Sequence, residues 1–301
     1  MQKNRNDLHE RVTLKIIEAI EAGAGDYQMP WNTGEASALL PQNPVGKYHY
    51  HGINVLSLWA CQKLRTFTTG QWATYRQWQS IGAQVRKGET GSATVFYQPI
   101  IADDQSNSTD DGEDTQGNRS SRPFILKMAT VFNADQVDGF HLENVTLPAA
   151  QRHELAERVI KDSGARILWG GDKACYLPTR DEIHLPSPEA FISTEAYYGV
   201  AFHELTHWTG HNSRCARDLS GRFGTSAYAM EELVAELGAA FLCAEIGLSQ
   251  QPRKDHAQYI SSWLNVLKSE PKAIFSAATK ANAACRYLCP VIPAHLSLTS
   301  D

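Results

Sequence analysis

The feature that most constrains this chain is Phe202-His203-Glu204-Leu205-Thr206-His207-Trp208, set within an apolar helical pattern of Tyr197, Val200, Ala201 and Leu205. An α-helix puts His203 and His207 on one face, about 6 Å apart. Two imidazoles so placed can meet one Zn²⁺ at about 2.0–2.1 Å. Glu204 points to the adjoining side, where it reaches the water that the metal activates without itself being a ligand. The motif is the His-Glu-x-x-His signature of zinc peptidases, with other divalent metals as alternatives. Strand-like segments precede it, as they would for a metal-site helix packed on a sheet.

A site of this kind needs a third protein ligand and leaves a fourth position open. His211 continues the spacing. Eight residues of continuous helix, however, carry it about 12 Å along the axis and about 80° around it from His203. His211 is therefore read as a helix-end residue or one that supports a ligand. The better source is Met230-Glu231-Glu232-Leu233-Val234-Ala235-Glu236-Leu237-Gly238-Ala239-Ala240-Phe241, whose carboxylates sit among small residues that permit close helix approach. Glu232 and Glu236 share a face, so one can bind metal while the other orients a ligating imidazole. Glu232 is assigned as the ligand and Glu236 as the orienting group, with the reverse as the alternative. Tyr197, Tyr198 and His184 are upstream candidates for contacting an oxyanion or a peptide. The segment Asp181-Glu-Ile-His-Leu-Pro186 is a candidate edge strand for an extended peptide.

Around this motif the chain reads as α+β in two domains, 1–142 and 149–301, joined through LENVTLPAA. Helices are expected over 7–22, 53–63, 71–81, 149–163, 193–210, 227–247, 255–269 and 271–288. Strands are expected over 92–101, 124–132, 165–170, 173–178 and 181–186. Residues 103–122 contain DDQSNSTDDGEDTQGNRSS, which has no apolar residue and reads as a disordered acidic hairpin loop. Apolar residues at 42% and charged residues at 20% suit a soluble globular protein. No secretory signal or membrane-spanning run is expected, which points to the cytoplasm. The six scattered cysteines form no Cys-x-x-Cys pair and read as free thiols.

Charge divides unevenly: residues 1–102 carry +3, residues 103–122 carry −4 and the remainder −4. The basic part is also aromatic, with Trp31, Trp59, Trp72, Trp78, Tyr48, Tyr50 and Tyr75 interleaved with Lys47, Arg76, Arg86 and Lys87. Aromatic faces stack on unpaired bases and cations track phosphates, a combination that suits single-stranded DNA. Lys47, Tyr48, Tyr50, Arg76, Trp78, Arg86 and Lys87 are the candidate contacts.

The segments KYHYHGINVLSL, QWATYRQWQSIGAQVRKGETG and VFNADQ resemble the N-terminal single-stranded-DNA-binding domain of ArdC-type antirestriction proteins. YYGVAFHELTHWTGH and YAMEELVAELGAAFLCAEIG resemble the zincin-like metallopeptidase domain of the same family. The resemblance covers nearly the whole chain in the same order. It implies a plasmid-type protein that binds single-stranded DNA and protects incoming DNA from restriction during conjugation, with His203, Glu204, His207 and Glu232 in the peptidase site. Two rivals follow from it: a DNA-dependent protease acting on DNA-bound host proteins, and a protein-binding inhibitor of restriction enzymes with a structural metal.

Overall fold

The computed structural model describes residues 2–24, 29–31, 39–99, 124–141, 147–222, 225–249 and 257–289. The acidic loop at 103–122 lies outside the described residues. The chain opens on α1 (Gln2–Gly23), which buries Val12, Ile16, Ile17 and Ile20 on one side. After the short hairpin β1 (Gln42–Asn43) and β2 (Tyr48–His49) comes α2 (Ile53–Leu64), apolar through its middle and buried from Val55 to Gln62.

The expected helix over 71–81 is a strand followed by a helix, β3 (Trp72–Thr74) and α3 (Tyr75–Ser80). The reason is local. Thr74 and Gln77 form a reciprocal capping box, which starts the helix at Tyr75 and leaves the preceding residues free to pair. β3 pairs with β6 (Phe124–Asn133), which pairs in turn with β5 (Ser92–Pro99), all antiparallel. The outer edge of β5 is met by Asn54 of α2, whose amide accepts from Val95 N and donates to Val95 O, both at 2.8 Å. A small ladder of β4 (Gln84–Val85) and β7 (Val137–Asp138) closes the unit.

In the second half, α4 (Ala149–Asp162) leads into a three-stranded sheet of order β8-β10-β9, formed by β8 (Arg166–Trp169), β9 (Cys175–Leu177) and β10 (Glu182–Leu185). This corrects one expectation. Residues 181–186 supply the central strand, parallel to β8 and antiparallel to β9, so its backbone groups are used on both sides. The edges are β8 and β9. Four α-helices follow among the described residues: α5 (Thr194–Thr209), α6 (Ser226–Ile246), α7 (Ala257–Ser269) and α8 (Ala273–Leu288). Ser193 caps α5 and Thr225 caps α6, each accepting from the backbone N–H three residues on.

The architecture is α+β with two sequence domains, yet the cores do not divide where the sequence does. One apolar cluster joins Val12, Ile16 and Trp59 of the first half to Leu233, Leu237, Trp263, Ile274 and Ala281 of the second. A second joins α4, β10, α5 and the opposite side of α6 through Val159, Ile183, Phe202, Leu205 and Leu242. Helix α6 is the wall common to both. Its burial from Glu232 to Ala244 explains why the carboxylates it carries require partners.

Candidate metal centre

Helices α5 and α6 approach closely because Gly238 faces Thr206. A Cβ added at Gly238 would lie 2.5 Å from Thr206 Cγ2 and Oγ1. That approach brings the histidines of α5 onto the carboxylates of α6. His203 Nε2 lies 3.4 Å from Glu232 Oε2, and His207 Nε2 lies 3.6 Å from Glu232 Oε1. One ligand atom each from His203, His207 and Glu232 falls within 4.8 Å of the others, and this is the one such group among the described residues. Donors at about 2.0–2.1 Å from a tetrahedral ion stand about 3.3 Å apart. The separations therefore fit one divalent metal, and two imidazoles with a carboxylate are a donor set zinc and manganese both accept.

Each imidazole has a carboxylate behind it. His203 Nδ1 lies 3.5 Å from Glu236 Oε2, and His207 Nδ1 lies 3.2 Å from Glu231 Oε1. The geometry thus brings His203, His207, Glu232 and Glu236 together. Glu231 is an addition that the sequence reading lacks. His211 is not behind a ligand: α5 ends at Thr209, and the His211 ring turns to Ser213, with Nδ1 2.8 Å from Oγ. The support expected of His211 comes instead from Glu231, held by Arg217. That arginine is 7% exposed and donates through Nε and Nη2 to Glu231 at 3.1 and 2.8 Å.

Electrostatics follow from these contacts. Burial pushes the Glu232 carboxyl up, but the hydrogen bond from His203, the two imidazole charges and the Tyr228 hydroxyl outweigh it and hold it down to about 2. Burial likewise opposes ionisation of Glu231, and its bonds with His207 and Arg217 prevail, leaving it below the ordinary carboxylate value. Glu204 is 6% exposed, and its charge reaches β9, where burial first and Glu204 second raise the Cys175 thiol. Tyr228, one turn before Glu232 on α6, is a second residue that the sequence reading lacks.

The candidate polarisers are engaged by other partners. Tyr197 accepts from Trp169 Nε1 at 3.3 Å, and Tyr198 donates to Glu157 Oε1 at 3.0 Å; both rings are buried in the α4–α5 core. His184 Nε2 sits 3.5 Å from Glu182 on the central strand.

The candidate DNA contacts separate into exposed and buried groups. Trp78 is fully buried and donates to Phe132 O at 3.0 Å, so it anchors α3 and offers no face to a base. Tyr50 is also buried, its hydroxyl donating to Trp72 O at 3.1 Å. Arg86 is exposed but committed, pairing with Glu89 at 3.2 Å and Asp138 at 3.4 Å and donating to Asp135 O. Lys47, Tyr48, Arg76 and Lys87 are exposed. Tyr75 (44% exposed) and Phe96 (45%), the latter opposite Lys127 across the β5–β6 pair, are exposed aromatics absent from the expected set.

Comparison with known proteins finds one family in each half of the chain. A family described as the N-terminal domain of anti-restriction factor ArdC matches residues 6–132, and a zincin-like metallopeptidase family matches residues 154–280. The chain is 45% identical over 276 residues to the protein y4eC of Sinorhizobium fredii, covering 91% of this chain and 89% of that one. It is 39% identical over 287 residues to the DNA primase TraC of Escherichia coli, covering 92% of this chain but 19% of the primase. The Mn(II)-bound crystal structure of the antirestriction protein ArdC from plasmid R388 aligns with a TM-score of 0.73 at 36% identity, over 93% of this chain and 96% of that one. Its metal-free form aligns with the same score at 37% identity, over 94% and 96%.

Proposed function

We propose, from the premise that this chain belongs to the ArdC-type antirestriction family, that it binds single-stranded DNA through its first half and holds one divalent metal for peptidase chemistry in its second. Protection of incoming DNA during conjugation is the role this reading gives it, in the cytoplasm of the receiving cell. The observation that carries it is the convergence of His203, His207 and Glu232, with Glu204 beside them on the same helix as the histidines. These three residues would hold the metal, with zinc the ion the zincin-like match favours and manganese the ion held by the R388 relative. When bound, the metal supplies a Lewis acid that polarises a carbonyl and acidifies water. Glu204 takes the proton of the attacking water and returns it to the departing amine. Glu236 and Glu231 fix the two imidazoles, and Tyr228 steadies Glu232.

For DNA, the exposed set is Lys47, Tyr48, Tyr75, Arg76 and Lys87, with the aromatic faces stacking on bases and the cations following phosphates. The second reading, a protease for which DNA is only the guide to DNA-bound host proteins, is favoured by the open metal corner. A structural metal closes its shell with a fourth protein donor, and among the described residues none joins this group. A Glu204→Ala variant decides between them. Under the first reading it keeps its metal and still protects transferred DNA from cleavage by restriction enzymes. Loss of protection with metal and DNA binding intact would establish the protease.

A further inference from the structure

Arg217 stands in the segment between α5 and α6, outside any motif, and is nevertheless one of the most connected side chains in the molecule. Its guanidinium donates to Glu231 through Nε, at 3.3 Å to Oε1 and 3.1 Å to Oε2, and through Nη2 at 2.8 Å to Oε1. It also donates through Nη1 to Thr209 Oγ1 at 2.9 Å and through Nη2 to Thr206 O at 2.6 Å. The last two acceptors belong to the final turn of α5, the turn that carries His207. One buried cation therefore ties the end of α5 to the start of α6 at the level of the metal ligands.

We propose that Arg217, acting through Glu231, is a positioning residue that sets the tautomer and aim of His207. This inference rests on the metal centre proposed above. A buried arginine whose Nε, Nη1 and Nη2 are all engaged is fixed, and its planar fork fixes the Glu231 carboxylate in turn. The Glu231 carboxylate, held in place by Arg217 and 3.2 Å from His207 Nδ1, accepts the proton carried on that nitrogen. The lone pair is then left on Nε2, the atom that faces Glu232 at 3.6 Å and would meet the metal. The segment joining α5 to α6 thereby governs one metal ligand from outside the motif, at a position that is neither on α5 nor on α6.

The test uses the full-length protein with Arg217→Met, Arg217→Lys and Glu231→Gln variants. Nitrogen–proton correlation spectra of the metal-free protein at about pH 8.5, where an ordinary imidazole is neutral, report the His207 tautomer. Affinity for zinc is measured by competition with a chromogenic chelator, and melting of the metal-free variants reports the fold. The wild type should show the Nδ1–H form, and Glu231→Gln and Arg217→Met should both shift it towards a mixture. Zinc affinity should fall about 10–100-fold in each, and by no more when the two changes are combined, because they act through one path. Arg217→Lys should recover only part, having lost the fork. Should Arg217→Met not fold, Glu231→Gln, nearly identical in shape, carries the same prediction. An unchanged tautomer and unchanged affinity in a folded Glu231→Gln protein would overturn the inference. A wild type with the Nδ1–H form but no zinc binding would instead overturn the metal reading and leave the positioning role standing.

Discussion

Replacing Gly238 with alanine tests whether the α5–α6 approach is as tight as the metal site requires. The new Cβ would sit 2.5 Å from Thr206 Cγ2 and Oγ1 and 3.1 Å from Thr206 Cβ. Thr206 cannot swing away: it is fully buried, and its hydroxyl donates to Phe202 O at 2.7 Å. Overpacking of this sort costs about 1–3 kcal/mol, and the fixed threonine puts this case in the upper half, about 2–3 kcal/mol. Against that, exchanging glycine for alanine within a helix gains about 0.5–1 kcal/mol. The net is a destabilisation of about 1–2.5 kcal/mol, which lowers the melting temperature by about 2–4 °C for a chain of this size. Gly199 on α5 is the control, because nothing lies within 4 Å of its Cβ position. Gly199→Ala should stabilise by about 0.4–1 kcal/mol. The assay is thermal melting of the metal-free proteins, repeated in a Thr206→Ala background, where much of the Gly238→Ala effect should disappear. A Gly238→Ala protein as stable as the wild type, or a destabilisation undiminished by Thr206→Ala, would refute the packing argument.

Three further outcomes follow from other parts of the molecule. Tyr75→Ala should weaken single-stranded DNA binding by about 1–3 kcal/mol with the melting curve unchanged, whereas Trp78→Ala should lower stability by about 3–5 kcal/mol; anisotropy titrations beside thermal melts separate the two. Removing the charges of Arg76 and Lys87 together should flatten the salt dependence of binding, by about 0.7 in logarithmic slope for each phosphate no longer neutralised, while an unaltered slope excludes them from the interface. The hydrogen bond from Arg214 holds the Asp181 carboxyl below its ordinary 3.8. Its stabilising effect is therefore complete above that value and fades as pH falls through the lowered one. In urea titrations, Asp181→Asn should lose stability near neutrality and show a flatter acid limb, and an acid limb as steep as the wild type's would refute this.

Much of the second half is legible in the sequence because its signals are local. The His203–His207 spacing and the Glu232–Glu236 pair each act within one or two helical turns. What escapes depends on residues far away in the chain. Glu231 looks like one more helix-surface carboxylate until Arg217 and His207 are seen to meet it, 14 and 24 residues away. Trp78 reads as a base platform because aromatic content does not report depth, and its burial depends on Phe132, 54 residues on. Strand order escapes for the same reason: β10 is central only because β8 and β9 pair on either side of it. The sharing of a core between α1–α2 and α6–α8 has no sequence marker either, since an apolar helix face does not announce its partner. One difference has a local signal. Thr74-Tyr-Arg-Gln77 is a capping-box pattern, and it marks the start of α3 where periodicity alone carries the helix back to residue 71.

The proposed metal centre depends on three donors meeting one ion, and metal stoichiometry measures that directly. Purified protein stripped of metal and titrated with zinc, and separately with manganese, should take up one ion per chain, with the Glu204→Ala variant unaffected in stoichiometry. His203→Ala, His207→Ala and Glu232→Ala should each abolish tight uptake, while Glu236→Gln should keep one site of reduced affinity, by about 10–100-fold. Full uptake by Glu232→Ala, with none in Glu236→Gln, would contradict the assignment and move the third ligand one turn along α6.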